Sequence, residues 1–223
     1  MINKTIKSFS PFEWAMVLGM VAITAYFAIT GLQMGDNLLY TFLSSLAGIT
    51  GVVCVVLVAK GKISNYIWGI VNVLAYAAIA MQARYFGEVM LNMLYYLPMQ
   101  FIGIYFWKNK INIDTNEVES KVMTLQQIII GAIGILATVY LYNLILIWLG
   151  GNQPLLDSMS TVMSVIAMIL MVFRYAEQWL IWIFVNIVSI ILWLINGDMI
   201  MVAMWSIYLI NACYGWLKWK KRA

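Results

Sequence analysis

The sequence lacks histidine and has few charged residues, and each shortage excludes a class of protein. Only 10% of its 223 residues are charged, against roughly 25% in an average soluble domain, so a water-exposed globular fold is excluded. The absence of histidine removes the commonest general base and a common metal ligand. Cys54 and Cys213 stand alone in apolar runs and indicate small core residues, not a disulfide or a metal site. We therefore predict no catalytic residue, no cofactor and no metal.

What the sequence has instead is long apolar runs. A bilayer core of about 30 Å requires about 20 apolar residues in a helix. Eight runs approach this length, and turn residues such as glycine, asparagine and lysine separate them. They are residues 12–30, 38–59, 65–83, 88–106, 126–149, 156–173, 179–196 and 198–218. The first run is followed by further apolar runs and lacks the small-residue cleavage site of a signal peptide. We therefore expect a retained transmembrane helix and not a signal peptide.

The basic residues orient these runs. With eight spans and the N-terminus inside, twelve of the 13 lysines and arginines fall on one side, as the positive-inside rule requires. The twelve are Lys4, Lys7, Lys60, Lys62, Lys108, Lys110, Lys121, Arg174, Lys218, Lys220, Lys221 and Arg222, and Arg84 is the exception. Asp36, Asp157 and Asp198 mark the opposite side. Because the net charge of +4 is explained by topology, we predict no nucleic-acid partner. Both termini are predicted to be cytoplasmic.

The chain also repeats itself. Trp68-x-x-x-Asn72 matches Trp182-x-x-x-Asn186 at a shift of 114 residues, and the same shift aligns Lys60 with Arg174. One helix later the shift is 112, and three residues of spans 4 and 8 match. These pairs are Tyr96 with Tyr208, Gly103 with Gly215, and Trp107 with Trp219. Spans 2–4 are therefore predicted to recur as spans 6–8, and span 5 restores a parallel orientation.

These observations predict an all-α integral membrane protein with about eight transmembrane helices. Two parallel three-helix repeats are joined by a linker helix, and an extra helix precedes them. The predicted boundaries are 1–35 for the extra helix, 36–107 for the first repeat, 108–150 for a cytoplasmic loop and the linker helix, and 151–220 for the second repeat.

Polar and aromatic side chains inside the predicted spans mark a candidate binding site. Buried polar groups are costly in a membrane, and transporter sites lie near the midplane between repeats. The candidates share helix faces at spacings of three and four residues. They are Trp68, Asn72, Asn92, Tyr96, Gln100, Trp179, Trp182, Asn186, Asn196, Tyr208 and Asn211. Indole and phenol faces suit a flat or cationic heterocycle, and carboxamides suit an amide or hydroxyls.

Simpler structural interpretations exist for some of these residues. Intramembrane Asn and Gln also join helices, and Trp also marks lipid interfaces. Trp107 and Trp219 are predicted to be interfacial anchors, and Gly103 and Gly215 to allow close helix packing. Pro98 is expected to kink the fourth span.

No Asp, Glu, Lys, Arg or His lies deep within a predicted span. Ion-coupled carriers commonly use buried carboxylates or histidine, so this absence favours uncoupled facilitated diffusion.

The run Trp179-x-x-Trp182-x-x-x-Asn186 resembles the Trp-x-x-Trp-x-x-x-Asn motif of the PnuC family of bacterial nicotinamide riboside transporters. The Gly-x-x-x-Trp elements and the tyrosine-rich residues 85–105 look similar to the same family, and the resemblance covers about residues 36–220. It implies a SWEET-like fold, a bacterial inner-membrane location, uncoupled import of nicotinamide riboside by alternating access, trapping of that solute by cytoplasmic phosphorylation, and a homotrimer.

Other functions stay open from the sequence. A SWEET-type sugar uniporter shares the repeat but needs fewer stacked indoles, and a carrier of another nucleoside-like vitamin fits the same site. An intramembrane enzyme is disfavoured because no Ser/His pair, carboxylate pair or cysteine cluster is found. A structural membrane partner is the remaining class.

Overall fold

A computed structural model describes residues 9–82, 89–113, 115–148, 150, 154–197 and 199–223, and it describes only the backbone at 157, 192, 195 and 196. Within these ranges the chain is helical apart from turns and one loop, and eight α-helices follow one another. They are α1 (Pro11–Met34), α2 (Leu38–Ala59), α3 (Asn65–Gln82), α4 (Leu97–Lys108), α5 (Leu125–Trp148), α6 (Pro154–Val172), α7 (Gln178–Asn196) and α8 (Met199–Lys220). A π-helical turn, Leu91–Tyr96, leads directly into α4.

Five of these helices, α1, α2, α5, α6 and α8, are long and apolar enough to cross a membrane. The all-helical membrane class predicted from the sequence is therefore confirmed. The other three helices, α3, α4 and α7, carry the intramembrane carboxamides Asn72, Gln100 and Asn186.

Local residue chemistry sets several helix ends. α1 begins with a capping box in which the Glu13 amide donates to Ser10 Oγ (3.3 Å) and the Ser10 amide donates to Glu13 Oε2 (2.8 Å). It ends at Gly35, whose φ of +96° suits glycine because that residue has no Cβ. Pro98 lies in the first turn of α4 immediately after the π-helical turn, where a missing amide N–H is tolerated.

The helices pack as two groups of three. α2 packs on α3 and α3 on α4, while α6 packs on α7 and α7 on α8. Contacts of α8 with α2 and of α4 with α6 join the two groups. α1 packs on α2 and α8, and α5 lies against α6. The middle of α5 is largely exposed, as expected for a helix facing lipid.

The turns after α2 and α6 have the same backbone conformation. Six backbone hydrogen bonds of residues 56–67 recur at 169–180 with a constant offset of 113, among them Lys62 N to Leu57 O and Tyr175 N to Leu170 O. Gly61 and Arg174 both have a φ of +67°. Arg174 is therefore equivalent to Gly61. The sequence analysis aligned Arg174 with Lys60 at a shift of 114, and this alignment was wrong by one residue.

The ends of α2, α4, α6 and α8 gather with the starts of α1, α3, α5 and α7. We call this the inner end. All ten basic residues that the structure describes lie there, so the predicted one-sided distribution holds for them. Lys4, Lys7, Arg84 and Asp198 lie outside the described residues, as does the side chain of Asp157.

Candidate functional site

A cavity of about 740 Å³ lies between the two groups of helices. Its wall is formed by α2, α3, α4, α6, α7 and α8 with the π-helical turn, and α5 contributes Tyr142. This volume falls within the range of small-molecule sites. A cavity shared by both helix groups is where a transporter is expected to bind its solute.

Nine of the eleven residues predicted from the sequence line this cavity. They are Asn72, Asn92, Tyr96, Gln100, Trp179, Trp182, Asn186, Tyr208 and Asn211. Trp68 is not among the described residues that line the cavity, so the structure does not bring it together with the other nine. The side chain of Asn196 lies outside the described residues.

The position of Trp68 follows from the backbone register. At the offset of 113 the residue equivalent to Trp182 is Gly69, and Gly69 lines the cavity. Along α3 the wall residues are Gly69, Asn72, Val73 and Tyr76, which share one helical face. Trp68 precedes Gly69 by one residue and so points about 100° away from it, at the edge of this face next to Asn72.

Several wall residues escaped the sequence analysis. The cavity is also lined by Ser160, Thr161 and Ser164 on α6, by Ser189 on α7 and by Trp205. Serine and threonine in membrane helices commonly bond to their own backbone and therefore carry a weak signal. The spacing of the three α6 residues at i, i+1 and i+4 is the pattern that could have identified them.

Two of the wall carboxamides hold helices together through their N–H groups. Asn72 Nδ2 donates to Ala47 O (2.7 Å) and Asn211 Nδ2 donates to Val55 O (2.9 Å). Gln100 Nε2 donates within its own helix to Tyr96 O (3.3 Å). Asn211 thereby connects α8 to α2 across the two helix groups, which agrees with the structural interpretation of intramembrane carboxamides.

Five buried polar atoms of the wall have no hydrogen-bond partner within the described residues. Three are acceptors and two are indole donors: Gln100 Oε1, Asn186 Oδ1, Asn211 Oδ1, Trp179 Nε1 and Trp205 Nε1. A buried polar atom without a partner costs free energy of roughly 1–3 kcal/mol. A ligand with matching donors and acceptors would remove this cost.

Two glycines make room for these polar groups. A Cβ on Gly69 would collide with the Gln100 carboxamide, and a Cβ on Gly51 would collide with the Tyr208 hydroxyl and lie 2.8 Å from Asn72 Nδ2. The sequence contains no local sign of this role, because it depends on helices that lie far apart along the chain.

Within the described part of the chain, the cavity wall contains no Asp, Glu, Lys or Arg. It therefore has aromatic faces and neutral hydrogen-bonding groups but no charged partner. Such a wall suits a neutral ligand or one with a delocalised positive charge. A phosphate dianion would be desolvated there without a cation, which is strongly unfavourable.

Four aromatic residues close the cavity on its inner side: Tyr66, Trp107, Trp179 and Trp219, which we call the ring layer. Trp107 and Trp219 are 0% exposed, so their prediction as interfacial anchors was wrong. Gly103 lies against the Tyr66 ring and Gly215 against the Trp179 ring, which confirms the prediction that these glycines allow close packing.

Residues 109–124, which we call the inner loop, cover the ring layer. Val118 N donates to Gly61 O (2.8 Å), and Lys121 N donates to Arg174 O (3.0 Å), so the loop contacts both equivalent turns. Lys62 Nζ donates to the carbonyls of residues 115 and 116. Burial lowers the pKa of Lys62, and Glu117, 3.8 Å away, partly opposes that shift.

A buried ionic cluster lies beside the loop at the inner end. Glu13 of α1 is 0% exposed. Its Oε2 accepts from Lys60 Nζ (2.8 Å), while Oε1 accepts from Tyr214 Oη (3.0 Å) and Lys218 Nζ (3.3 Å). The carboxylate thus joins α1 to the end of α2 and to α8.

Comparisons with known proteins give consistent matches. A family model described as nicotinamide mononucleotide transporter matches residues 41–221. The nicotinamide riboside transporter PnuC of Haemophilus influenzae is 38% identical over 224 residues, covering 97% of this chain and 92% of that protein. The nicotinamide riboside transporter PnuC of Neisseria mucosa is 38% identical over 191 residues, covering 81% of this chain and 73% of that protein. A crystal structure of the vitamin B3 transporter PnuC has a TM-score of 0.81 at 34% identity, covering 96% of this chain and 92% of that one.

Proposed function

The chain belongs to the family of nicotinamide mononucleotide transporters that includes PnuC, and from this premise we propose that it carries nicotinamide riboside across a bacterial membrane. Membership of this family makes the chain a multi-pass membrane transporter and not an enzyme. The relatives are named for the riboside whereas the family model is named for the mononucleotide, so the two solutes must be distinguished on physical grounds.

The aromatic wall with its unpartnered polar atoms carries the proposal. Nicotinamide riboside has a flat cationic ring, a carboxamide and ribose hydroxyls. In our proposal Trp182 stacks on the ring. The oxygens of Gln100 and Asn186 accept hydrogen bonds from the solute's carboxamide or hydroxyls. Asn72 donates one N–H to Ala47 O, and its carbonyl oxygen accepts from the solute.

The mononucleotide differs from the riboside by one phosphate. Because the described wall has no Lys or Arg, nothing there would replace the hydration of that phosphate. The same wall argues against a sugar as the preferred solute, since a non-aromatic ligand does not need several indoles. The riboside, or a closely similar heterocyclic nucleoside, is the solute that matches both features.

Calorimetric titration of the purified protein tests this proposal. We expect nicotinamide riboside to bind, and Trp182→Ala and Asn186→Ala each to lower the affinity tenfold or more, because each removes a group that contacts the ligand. Trp148→Ala, on the exposed side of α5 where Trp148 is 83% exposed, is the matched control and should leave the affinity unchanged. Glucose in excess should not compete, and the mononucleotide should bind at least 100-fold more weakly. An affinity equal to that of the unmodified protein in both cavity variants would refute the proposed site.

We also propose that the two helix groups are parallel repeats, with residues 36–107 as the first, 151–220 as the second and 108–150 as the loop and linker helix between them. Residues 1–35 form the additional helix. The recurring turn hydrogen bonds support this arrangement. So does the contact pattern, in which α8 meets α2 as α4 meets α6.

We further propose alternating access without ion coupling. The support is the absence of Asp, Glu, Lys and Arg from the described cavity wall, since proton- and ion-coupled carriers commonly place carboxylates there. Proteoliposomes loaded with buffer should therefore take up nicotinamide riboside only until the internal concentration equals the external one. Imposed pH or sodium gradients should leave this endpoint unchanged. Accumulation driven by either gradient would contradict uncoupled transport.

Location and assembly complete the proposal. The basic residues at the inner end favour a cytoplasmic position for that end, and hence for both termini, in a bacterial inner membrane. Cytoplasmic phosphorylation of the riboside would then trap it. The proposed homotrimer rests on the family resemblance.

A further inference from the structure

The ring layer separates the cavity from the inner loop. Ring centroids of Tyr66 and Trp107 lie 5.1 Å apart, those of Trp107 and Trp219 5.9 Å, and those of Trp179 and Trp219 5.9 Å. Trp179 lines the cavity, and Val118 of the inner loop packs into the same buried cluster. A solute leaving the cavity toward the inner end must therefore displace these rings.

Two indole groups of the layer connect the two helix groups reciprocally. Trp107 of α4 donates through Nε1 to Met171 O at the end of α6 (3.2 Å). Trp219 of α8 donates through Nε1 to Val58 O (3.1 Å) and Ala59 O (3.2 Å) at the end of α2. The helix groups cannot separate at the inner end without breaking both sets of bonds.

Buried polar side chains lie next to the layer. Asn65 and Gln178 are equivalent at the offset of 113, precede Tyr66 and Trp179 directly, and are each 0% exposed. Within the described residues, Asn65 Oδ1, the Tyr66 hydroxyl and both amide atoms of Gln178 have no hydrogen-bond partner.

Such groups are unfavourable in a permanently closed wall. An apolar side chain of the same shape would be as stable or more so. A conformation in which the layer opens would give these polar groups partners. There they would contact water and the hydroxyl or carboxamide groups of a passing solute.

We propose that the ring layer is the inner gate of the transport path, and that Asn65 and Gln178 line the passage which opens beside it and bind the solute transiently. The identity of that solute rests on the proposed function, whereas the gate does not. Opening requires the Trp107 and Trp219 hydrogen bonds to break together, because each connects one helix group to the other.

The gate is tested with Cys54, which lines the cavity. In a Cys213→Ala background, a membrane-impermeant maleimide is applied to the inner face of oriented vesicles. Trp107→Phe with Trp219→Phe keeps two aromatic rings but removes both N–H donors, so we expect Cys54 to react tenfold faster or more. Trp148→Phe is the matched control, and Cys54 in this variant should react at the parent rate. A parent-like rate in the double variant would overturn the gate.

The passage is tested with Gln178→Leu, because neither amide atom of Gln178 has a partner to lose. We expect an equal or higher melting temperature, affinity for nicotinamide riboside within twofold, and a transport rate at least tenfold lower. Asn143→Leu removes another unpartnered buried acceptor, on α5, and should leave the rate within twofold. A parent-like transport rate for Gln178→Leu, or a lower melting temperature, would overturn the assignment.

The two failures are distinguishable. If the unmodified protein binds no nicotinamide riboside, the proposed function is wrong, but the reactivity of Cys54 still decides the gate. If the riboside binds and Cys54 reactivity is unchanged in the double variant, the gate alone is wrong.

Discussion

Glu13→Gln is expected to lower the free energy of unfolding by about 3–5 kcal/mol, the cost of breaking a buried ion pair by removing one partner. The Lys60 side chain is 6% exposed and that of Glu13 is 0% exposed. The neutral amide removes the charge that balances Lys60 and Lys218 and leaves Lys60 in a poorly hydrated site. Thermal unfolding of the purified protein in detergent measures the loss.

Glu119→Gln is the matched control, because Glu119 is exposed at the same end of the molecule and should change the melting temperature little. Combining Glu13→Gln with Lys60→Met should restore part of the lost stability, since the uncompensated buried charge of Lys60 is then removed as well. A melting temperature for Glu13→Gln equal to that of Glu119→Gln would contradict the importance of the cluster.

This cluster explains why α1, although outside the two groups of three helices, belongs to the folded core. Glu13 contributes to the capping box of α1 and at the same time contacts Lys60 and Lys218 on two other helices. The start of α1 is therefore attached where α2 and α8 meet, close to the inner gate proposed above.

Gly215→Ala is expected to lower stability by about 1–3 kcal/mol through overpacking. An added Cβ would lie 2.6 Å from Cε2 and 2.7 Å from Cζ2 of the Trp179 indole, and this ring cannot retreat because it is packed against Trp219. Trp179→Phe in the same chain provides space and should recover part of the loss. The melting temperature again gives the measurement.

Gly134→Ala is the matched control for this substitution. Gly134 lies inside α5, and an added Cβ there meets nothing within 4 Å, so alanine should keep or raise stability through its higher helix propensity. Equal melting temperatures for Gly134→Ala and Gly215→Ala would show that Gly215 does not make room for the indole.

The helices were predictable because hydropathy and turn residues act locally. The predicted runs 38–59 and 179–196 agree with α2 and α7 to within one residue at each end. The paired motifs were visible because their residues recur at nearly constant spacing. That spacing was read one residue too long at the first turn, since matching side-chain letters aligned Trp68 with Trp182, whereas the backbone hydrogen bonds align Gly69 with Trp182.

Most of the cavity residues were also predictable, because a carboxamide or indole deep in an apolar run requires a polar neighbour. The roles of Gly51 and Gly69 were not, since each depends on a side chain of another helix. Trp107 and Trp219 illustrate the same limit. Their sequence positions near span ends are equally typical of lipid-interface anchors, and only packing between the two helix groups buries them.

The sequence by itself determined the membrane class, the helices, the one-sided basic residues and the chemistry available for binding, because each follows from composition and periodicity along the chain. Only the tertiary structure decided which face of each helix meets the cavity, which tryptophans close it and how Glu13 joins three helices. Those outcomes depend on contacts between residues that are as distant along the chain as Glu13 and Lys218. Such contacts are set by the packing of whole helices and not by local sequence.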